Sequence, residues 1–160
     1  MNNLVGYALT QGKVLMKSDG TQWRPLIHIA DISAAFLAVL DAPREAVHDE
    51  VFNVCARDEN YQIRSVAEIV EQTVPGSTIQ LADSAGPDIR DYRVDPSKIF
   101  DKVPGFQPQW TVRKGAEQLR DGYTTHGFNE ETFLGRLMQI AFIKEGLAAG
   151  TIGTDLRPVS

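Results

Sequence analysis

The sequence predicts an α/β fold. Short apolar runs rich in β-branched residues alternate with longer stretches that repeat an apolar residue every three or four positions. Glycine, proline and aspartate fall between these runs, where turns and caps need them. The chain has 160 residues, 42% hydrophobic and 23% charged, an ordinary globular composition for one domain. At that length folding buries roughly 70% of the surface the unfolded chain exposes.

Residues 2–10 read as a short helix with Leu4, Val5, Ala8 and Leu9 on its apolar side, and Gly12 suits the residue that closes it. Residues 13–18 and 21–29 read as strands joined by Asp19-Gly20, a dipeptide that tolerates positive φ, so a hairpin is predicted there. Pro25 donates no ladder hydrogen bond, which makes the second strand irregular or an edge. Asp31 reads as the N-cap of a helix with Ile32, Ala35, Phe36, Val39 and Leu40 on one stripe, ending near Pro43. Residues 51–56 suit a buried strand. Ser65-Val-Ala-Glu68 reads as a capping box, opening a helix through Ile69, Val70 and Val74 that stops at Pro75-Gly76. Another strand is predicted over residues 78–81, followed by a polar loop to Asp91.

Asp95-Pro96 has the form of an N-cap with proline at the first helical position, starting a short helix through Ile99 and Phe100. Val112, Ala116, Leu119 and Tyr123 mark the next helix. Asn129-Glu-Glu opens the last one, with acidic residues where the helix dipole favours them and Phe133, Leu137, Ile140 and Ala141 on the apolar side.

Sixteen basic against 21 acidic residues give a formal charge of -5. That balance does not favour a sequence-independent nucleic-acid binder, which carries a basic face. Two or three arginines are enough for a small anion site. Cys55 is the only cysteine, which excludes an intrachain disulfide, a cysteine zinc site and a CxxC redox pair. The longest apolar stretch, around residues 32–40, is too short to span a bilayer, and no signal-peptide pattern is visible. A reduced, soluble, cytoplasmic setting is expected. His28, His48 and His126 lie far apart in sequence, so no metal site is expected. No GxGxxG, P-loop, HExxH or GxSxG is present, and no tyrosine has a lysine four residues on.

What remains is an arginine-centred pattern. Asp19-Gly-Thr-Gln-Trp-Arg-Pro-Leu-Ile-His-Ile-Ala-Asp31 places Arg24 on a strand. Gly86-Pro-Asp-Ile-Arg-Asp-Tyr-Arg-Val-Asp-Pro-Ser-Lys98 offers Arg90, Tyr92 and Arg93 on a loop before a helix. Guanidinium forks suit the oxygens of a diphosphate better than ammonium groups do. Spacing alone leaves two readings open, scattered surface ion pairs and an anion site.

The segment Arg24-Pro-Leu-Ile-His-Ile-Ala-Asp31 closely resembles the R-x-x-[IV]-H-V-x-D stretch of the extended short-chain dehydrogenase/reductases, the NAD(P)-dependent nucleotide-sugar epimerases and dehydratases. Asn2-Asn-Leu4 resembles that family's N-N-L segment. Val51-Phe-Asn-Val54, the helix containing Glu68, Tyr92 with Asp95-Pro-Ser-Lys98, and Trp110-Thr-Val-Arg-Lys-Gly115 follow in the family's order. The resemblance covers residues 2–123. It implies a partial Rossmann-like fold, the C-terminal half of the family enzyme, with a hairpin, short strands and several helices. Residues 1–127 would be the substrate-binding half and residues 128–160 a helical extension.

In the family, the N-terminal half carries the glycine-rich NAD loop and the Tyr-x-x-x-Lys pair. The resemblance therefore implies that NAD(P) serves the intact enzyme, that this chain alone binds none, and that it has no catalytic residue and no turnover. The implied ligand is a nucleotide diphosphate sugar, with no nucleic acid or membrane. An upstream Rossmann half or a second copy is the expected protein partner. Asn3 and the Leu4 amide resemble diphosphate contacts, Leu15 and Lys17 the lining of the base pocket, and Arg24 the diphosphate arginine. Arg90 is the second arginine, with Arg93 its rival in register, and Tyr92 resembles the substrate-bonding tyrosine. His28, Asp31 and Asp95 are read as structural. Cys55 departs from the family's frequent glycine and is read as a buried small residue. A stand-alone nucleotide-sugar binding module and a non-catalytic interaction domain remain alternatives.

Overall fold

A computed structural model describes residues 1–86, 90–136 and 139–159. Helix α1 (Asn2–Gln11) closes on Gly12, whose φ of 66° is the left-handed value expected for this cap. The Gly12 carbonyl then accepts from the Thr78 amide at 3.1 Å, at the start of a parallel pair between β1 (Lys13–Ser18) and β4 (Thr78–Gly86). Parallel strands need a crossover connection. Here it contains β2 (Trp23–Pro25), α2 (Ile29–Asp41), α3 (Arg44–Val47), β3 (Asn60–Gln62) and α4 (Ile63–Thr73). Val14 and Met16, two apart on β1, share one face and pack with Val5 and Ala8 of α1, Ala67 and Val70 of α4, and Ala116 of α6 (Val112–Thr125). A second core joins Ala35 of α2 to Ile99 of α5 (Ser97–Lys102), Val103 and Phe106. The class is α/β, as expected.

The hairpin at Asp19-Gly20 does not form. Gly20 does take a positive φ of 81°. However, Asp19 Oδ1 accepts from the Thr21 amide, the Thr21 hydroxyl and Gln22 Nε2. The turn also docks on the start of α4, where a Cβ on Gly20 would lie 3.0 Å from the Arg64 amide. The next strand thus leaves β1 and pairs antiparallel with β3, Trp23 opposite Gln62, Arg24 opposite Tyr61 and Pro25 opposite Asn60. Pro25 ends an edge strand, as its missing N–H requires.

The capping box at Ser65 is also absent. Helix α4 begins earlier, and its first amides are taken by tertiary carbonyls, Ile63 N–H by Gln22 and Arg64 N–H by Gly20. Asp31 is not an N-cap either. His28 holds that place, its Nδ1 accepting from the Ala30 amide at 3.1 Å. Asp31 sits in the first turn, only 3% exposed, and its carboxylate accepts from the Gln109 and Trp110 amides at 2.9 and 3.0 Å. A charged acceptor with two backbone donors fixes α2 to the segment ahead of α6.

Residues 51–56 form no strand. Phe52 and Val54 still pack on the second core, while Val51 is exposed. Helix α5 starts one residue later than expected, with Asp95 Oδ1 accepting from the Ser97 amide. Beyond α6, Asn129 Oδ1 caps the Thr132 amide and a π-helical turn, Thr132–Arg136, precedes α7 (Gln139–Ala148). Phe133 is buried edge-on against Tyr7, but Ile140 and Ala141 face solvent, so the apolar side expected for this helix is not a core face; Leu137 lies outside the described residues.

Glu50 ties the end of the α3 turn to α5 through Lys102 and Lys98, each at 2.6 Å. The hydrogen bonds to Lys102 and then Lys98 bring its carboxyl down to about 2 from the ordinary 4.5. A depressed carboxyl contributes stability above its unfolded value and loses it as pH falls to the folded one. The window is therefore pH 4.5 to about 2. Carboxyl-carbon NMR should place the Glu50 midpoint well below that of other glutamates, and salt should raise it, because the three side chains are partly exposed and screened. An ordinary midpoint in low salt would refute the network.

Candidate functional site

The two arginine-bearing segments, far apart in sequence, meet at β2. Trp23 N–H donates to Asp91 Oδ1 at 2.7 Å, and the Tyr92 amide donates to the Trp23 carbonyl at 3.4 Å. The Arg93 guanidinium carbon lies 4.5 Å from the centre of the Trp23 ring, and that of Arg24 lies 5.1 Å from the centre of the Tyr92 ring. Arg24 Nη1 also donates to the Trp23 carbonyl at 2.6 Å. Arg24 is half-buried and Tyr92 largely exposed. Arg90 opens the same segment on the solvent side, next to residues outside the described set. The result is a cationic and aromatic patch on a strand, with guanidinium planes held against rings.

The other candidate residues lie elsewhere in the fold. Asn3 is exposed on α1 and Leu4 packs on the first core. Leu15 and Lys17 alternate with the buried Val14 and Met16 on β1, Leu15 half-buried and Lys17 exposed. Sequence reasoning did not single out Trp23 and Asp91 as organising the patch. An aromatic residue beside Arg24 was the available signal.

A cleft of about 390 Å³ opens between Met1, Ile29, His28, Trp110 and Gln118. His28 stacks on Trp110 with centroids 3.9 Å apart. Because its Nδ1 accepts from Ala30, its Nε2 carries the proton shared with Gln118 Oε1 at 2.8 Å. The imidazole is thus a helix cap rather than a strand residue. The arginine patch lies outside this cleft.

Cys55 is 1% exposed, its thiol directed at the carbonyls of Leu26 and Glu59. Burial, then the Glu59 charge, pushes this thiol up from its ordinary value. It should react with a disulfide reagent at pH 8 only after unfolding, and fast stoichiometric labelling of the folded chain would refute this placement. Among the described residues no group of three His, Cys, Asp or Glu side chains could hold a metal ion, and no helix is long and apolar enough to cross a membrane.

The Asp19 carboxylate takes the bonds of the turn after β1, the Ile63 and Arg64 amides of α4 go to carbonyls, the Ala30 amide of α2 to His28, and the Val112 and Lys114 amides of α6 to Glu59 and Thr111.

Residues 1–55 match the model of the NAD dependent epimerase/dehydratase family. A search of curated protein sequences returns no match. Among solved structures, the chain is similar to an L-threonine dehydrogenase from Phytophthora infestans, with a TM-score of 0.64 at 15% identity over 76% of this chain and 40% of that one. It is similar to an NAD-dependent NDP-hexosamine 5,6-dehydratase involved in tunicamycin biosynthesis, with a TM-score of 0.64 at 17% identity over 77% and 39%. A dTDP-glucose 4,6-dehydratase from Bacillus anthracis, in complex with NAD, gives a TM-score of 0.60 at 21% identity over 77% and 38%. The chain thus spans about 40% of the length of these structures.

Proposed function

We propose that this chain, a partial extended short-chain dehydrogenase/reductase fold of the NAD-dependent epimerase/dehydratase family, is the substrate-side portion of an enzyme acting on nucleotide diphosphate sugars. One observation carries the reading: Arg24 and Tyr92, 68 positions apart, face one another across β2, with Arg93 on Trp23 beside them. Arg24 anchors the diphosphate, Arg90 supplies the second guanidinium, and Tyr92 hydrogen-bonds the ligand. Asn3 with the Leu4 amide, and Leu15 with Lys17, extend the site toward the diphosphate and the base.

The hydride and proton chemistry belongs to NAD and the tyrosine–lysine pair in the remainder of the fold, which the described residues do not provide. The chain's own contribution is clamping and orientation. Residues 128–160 are an extension to this half, and the setting is cytoplasmic. Its partner is the cofactor-binding half, which would cover the exposed apolar face of α2.

L-Threonine dehydrogenases share this fold. A paired-arginine patch suits a diphosphate better than a zwitterionic amino acid, which offers one carboxylate. Calorimetry on the purified chain is the test. Uridine or thymidine diphosphate should bind, and L-threonine and NAD should not, with no turnover of any nucleotide sugar. Micromolar NAD affinity or turnover would overturn the half-enzyme reading, while threonine binding without diphosphate binding would overturn the substrate class. Binding of diphosphate alone, with no activity regained on adding a cofactor-binding half, would favour a stand-alone binding module. Failure of every ligand would leave the interaction domain.

A further inference from the structure

The segment that carries Tyr92 and Arg93 is not a strand, and one backbone bond of 3.4 Å joins it to β2. Its register is set instead by side chains. Asn60, on β3 opposite Pro25, uses both ends of its carboxamide on one residue: Nδ2 donates to the Val94 carbonyl at 3.0 Å and Oδ1 accepts from the Val94 amide at 2.9 Å. A carboxamide offers a donor and an acceptor with the spacing of a peptide edge. It therefore pairs with Val94 as a neighbouring strand would. Asp91 holds the other end on the Trp23 amide, and Asn53 Nδ2 reaches the Asp95 carbonyl at 3.2 Å. Tyr92 and Arg93 lie between the Asp91 and Asn60 clasps.

We infer that Asn60 is a positioning residue of the diphosphate site, its carboxamide fixing the register that sets Tyr92 and Arg93 against Arg24 and Trp23. The inference rests on the nucleotide-diphosphate reading above. Among the described residues both carboxamide bonds of Asn60 go to Val94, so its effect on the site passes through that backbone.

The test combines amide hydrogen exchange with a double-mutant cycle on the 160-residue chain, using uridine diphosphate as probe. Asn60→Leu keeps the volume and removes both bonds; Asn60→Asp keeps the acceptor for the Val94 amide and loses the donor. Val94 exchange should speed by about tenfold or more in Asn60→Leu and much less in Asn60→Asp, with the Val70 amide in the first core unchanged in both. Arg24→Ala should weaken binding about tenfold in the parent and less than about threefold in the Asn60→Leu background, because the partner of the arginine is no longer in register. A purely structural asparagine would lower the melting temperature and leave the Arg24 penalty intact. Unchanged Val94 exchange, or an equal Arg24 penalty in both backgrounds, overturns the inference while the nucleotide site stands. A parent chain that binds no uridine diphosphate overturns the nucleotide site and the positioning role together.

Discussion

Arg24→Ala is expected to weaken uridine or thymidine diphosphate binding tenfold or more. The side chain is pre-positioned rather than free to sweep solvent: it is half-buried, bonded at 2.6 Å to the Trp23 carbonyl and set against the Tyr92 ring. A guanidinium held in this way loses less freedom on closing a second fork onto a phosphate. A charged hydrogen bond contributes about 1.5–3 kcal/mol, and each 1.4 kcal/mol is a factor of ten in affinity. Arg24→Lys should recover only part of the loss, since an ammonium makes no bidentate contact and stacks less well on tyrosine. Arg44→Ala is the control, because Arg44 is exposed at the start of the short α3, on a different element from the patch. Equal losses in the Arg24 and Arg44 variants would reduce the effect to general electrostatics and remove Arg24 as the anchor.

Arg24 could be singled out from the sequence as a candidate, but the geometry around it could not. Local signals were reliable where local physics decides the outcome. Gly12 takes the left-handed cap, Pro25 sits on an edge, a short helix follows Asp95-Pro96, and the stripe from Val112 to Tyr123 is a helix. They failed where a distant partner outbids a local one. Asp31 and Ser65 have the chemistry of N-caps, yet Asp31 finds two amides 78 and 79 residues away. The first amides of α4 find the carbonyls of Gly20 and Gln22, so the helix starts two residues before Ser65 and encloses it, and the Glu68 amide belongs to the helix ladder. The hairpin failed for the same reason. Asp19-Gly20 forms its turn, but strand partners are chosen over the whole chain, and β3 and β4 carried the better ladders. The clasp by Asn60 had no sequence signal, because an asparagine acting as a strand edge looks like any other asparagine.

Among the described residues α2 leaves a stripe of large apolar side chains exposed, and self-association is the expected result. Ile29, Phe36, Leu37 and Leu40 follow a helical stripe and are 68%, 67%, 63% and 79% exposed, with Val51 at 81%. The helix forms because its other side packs through Ala35, Ala38 and Val39 on the second core, so its outer stripe is left to solvent. Burying each large apolar side chain is favourable by roughly 1.5–3 kcal/mol, and a patch of several marks an interaction surface. The purified chain should therefore bind a hydrophobic dye and sediment as oligomers at tens of micromolar. Phe36→Glu with Leu40→Lys should suppress both, without shifting the melt much, because neither side chain is in a core. Leu156→Lys, also an exposed leucine but on the C-terminal tail, should leave both unchanged. A parent chain that stays monomeric, binds no dye and melts in one sharp step would show that α2 needs no cover, and with it the proposed docking of a cofactor-binding half on this face would fall.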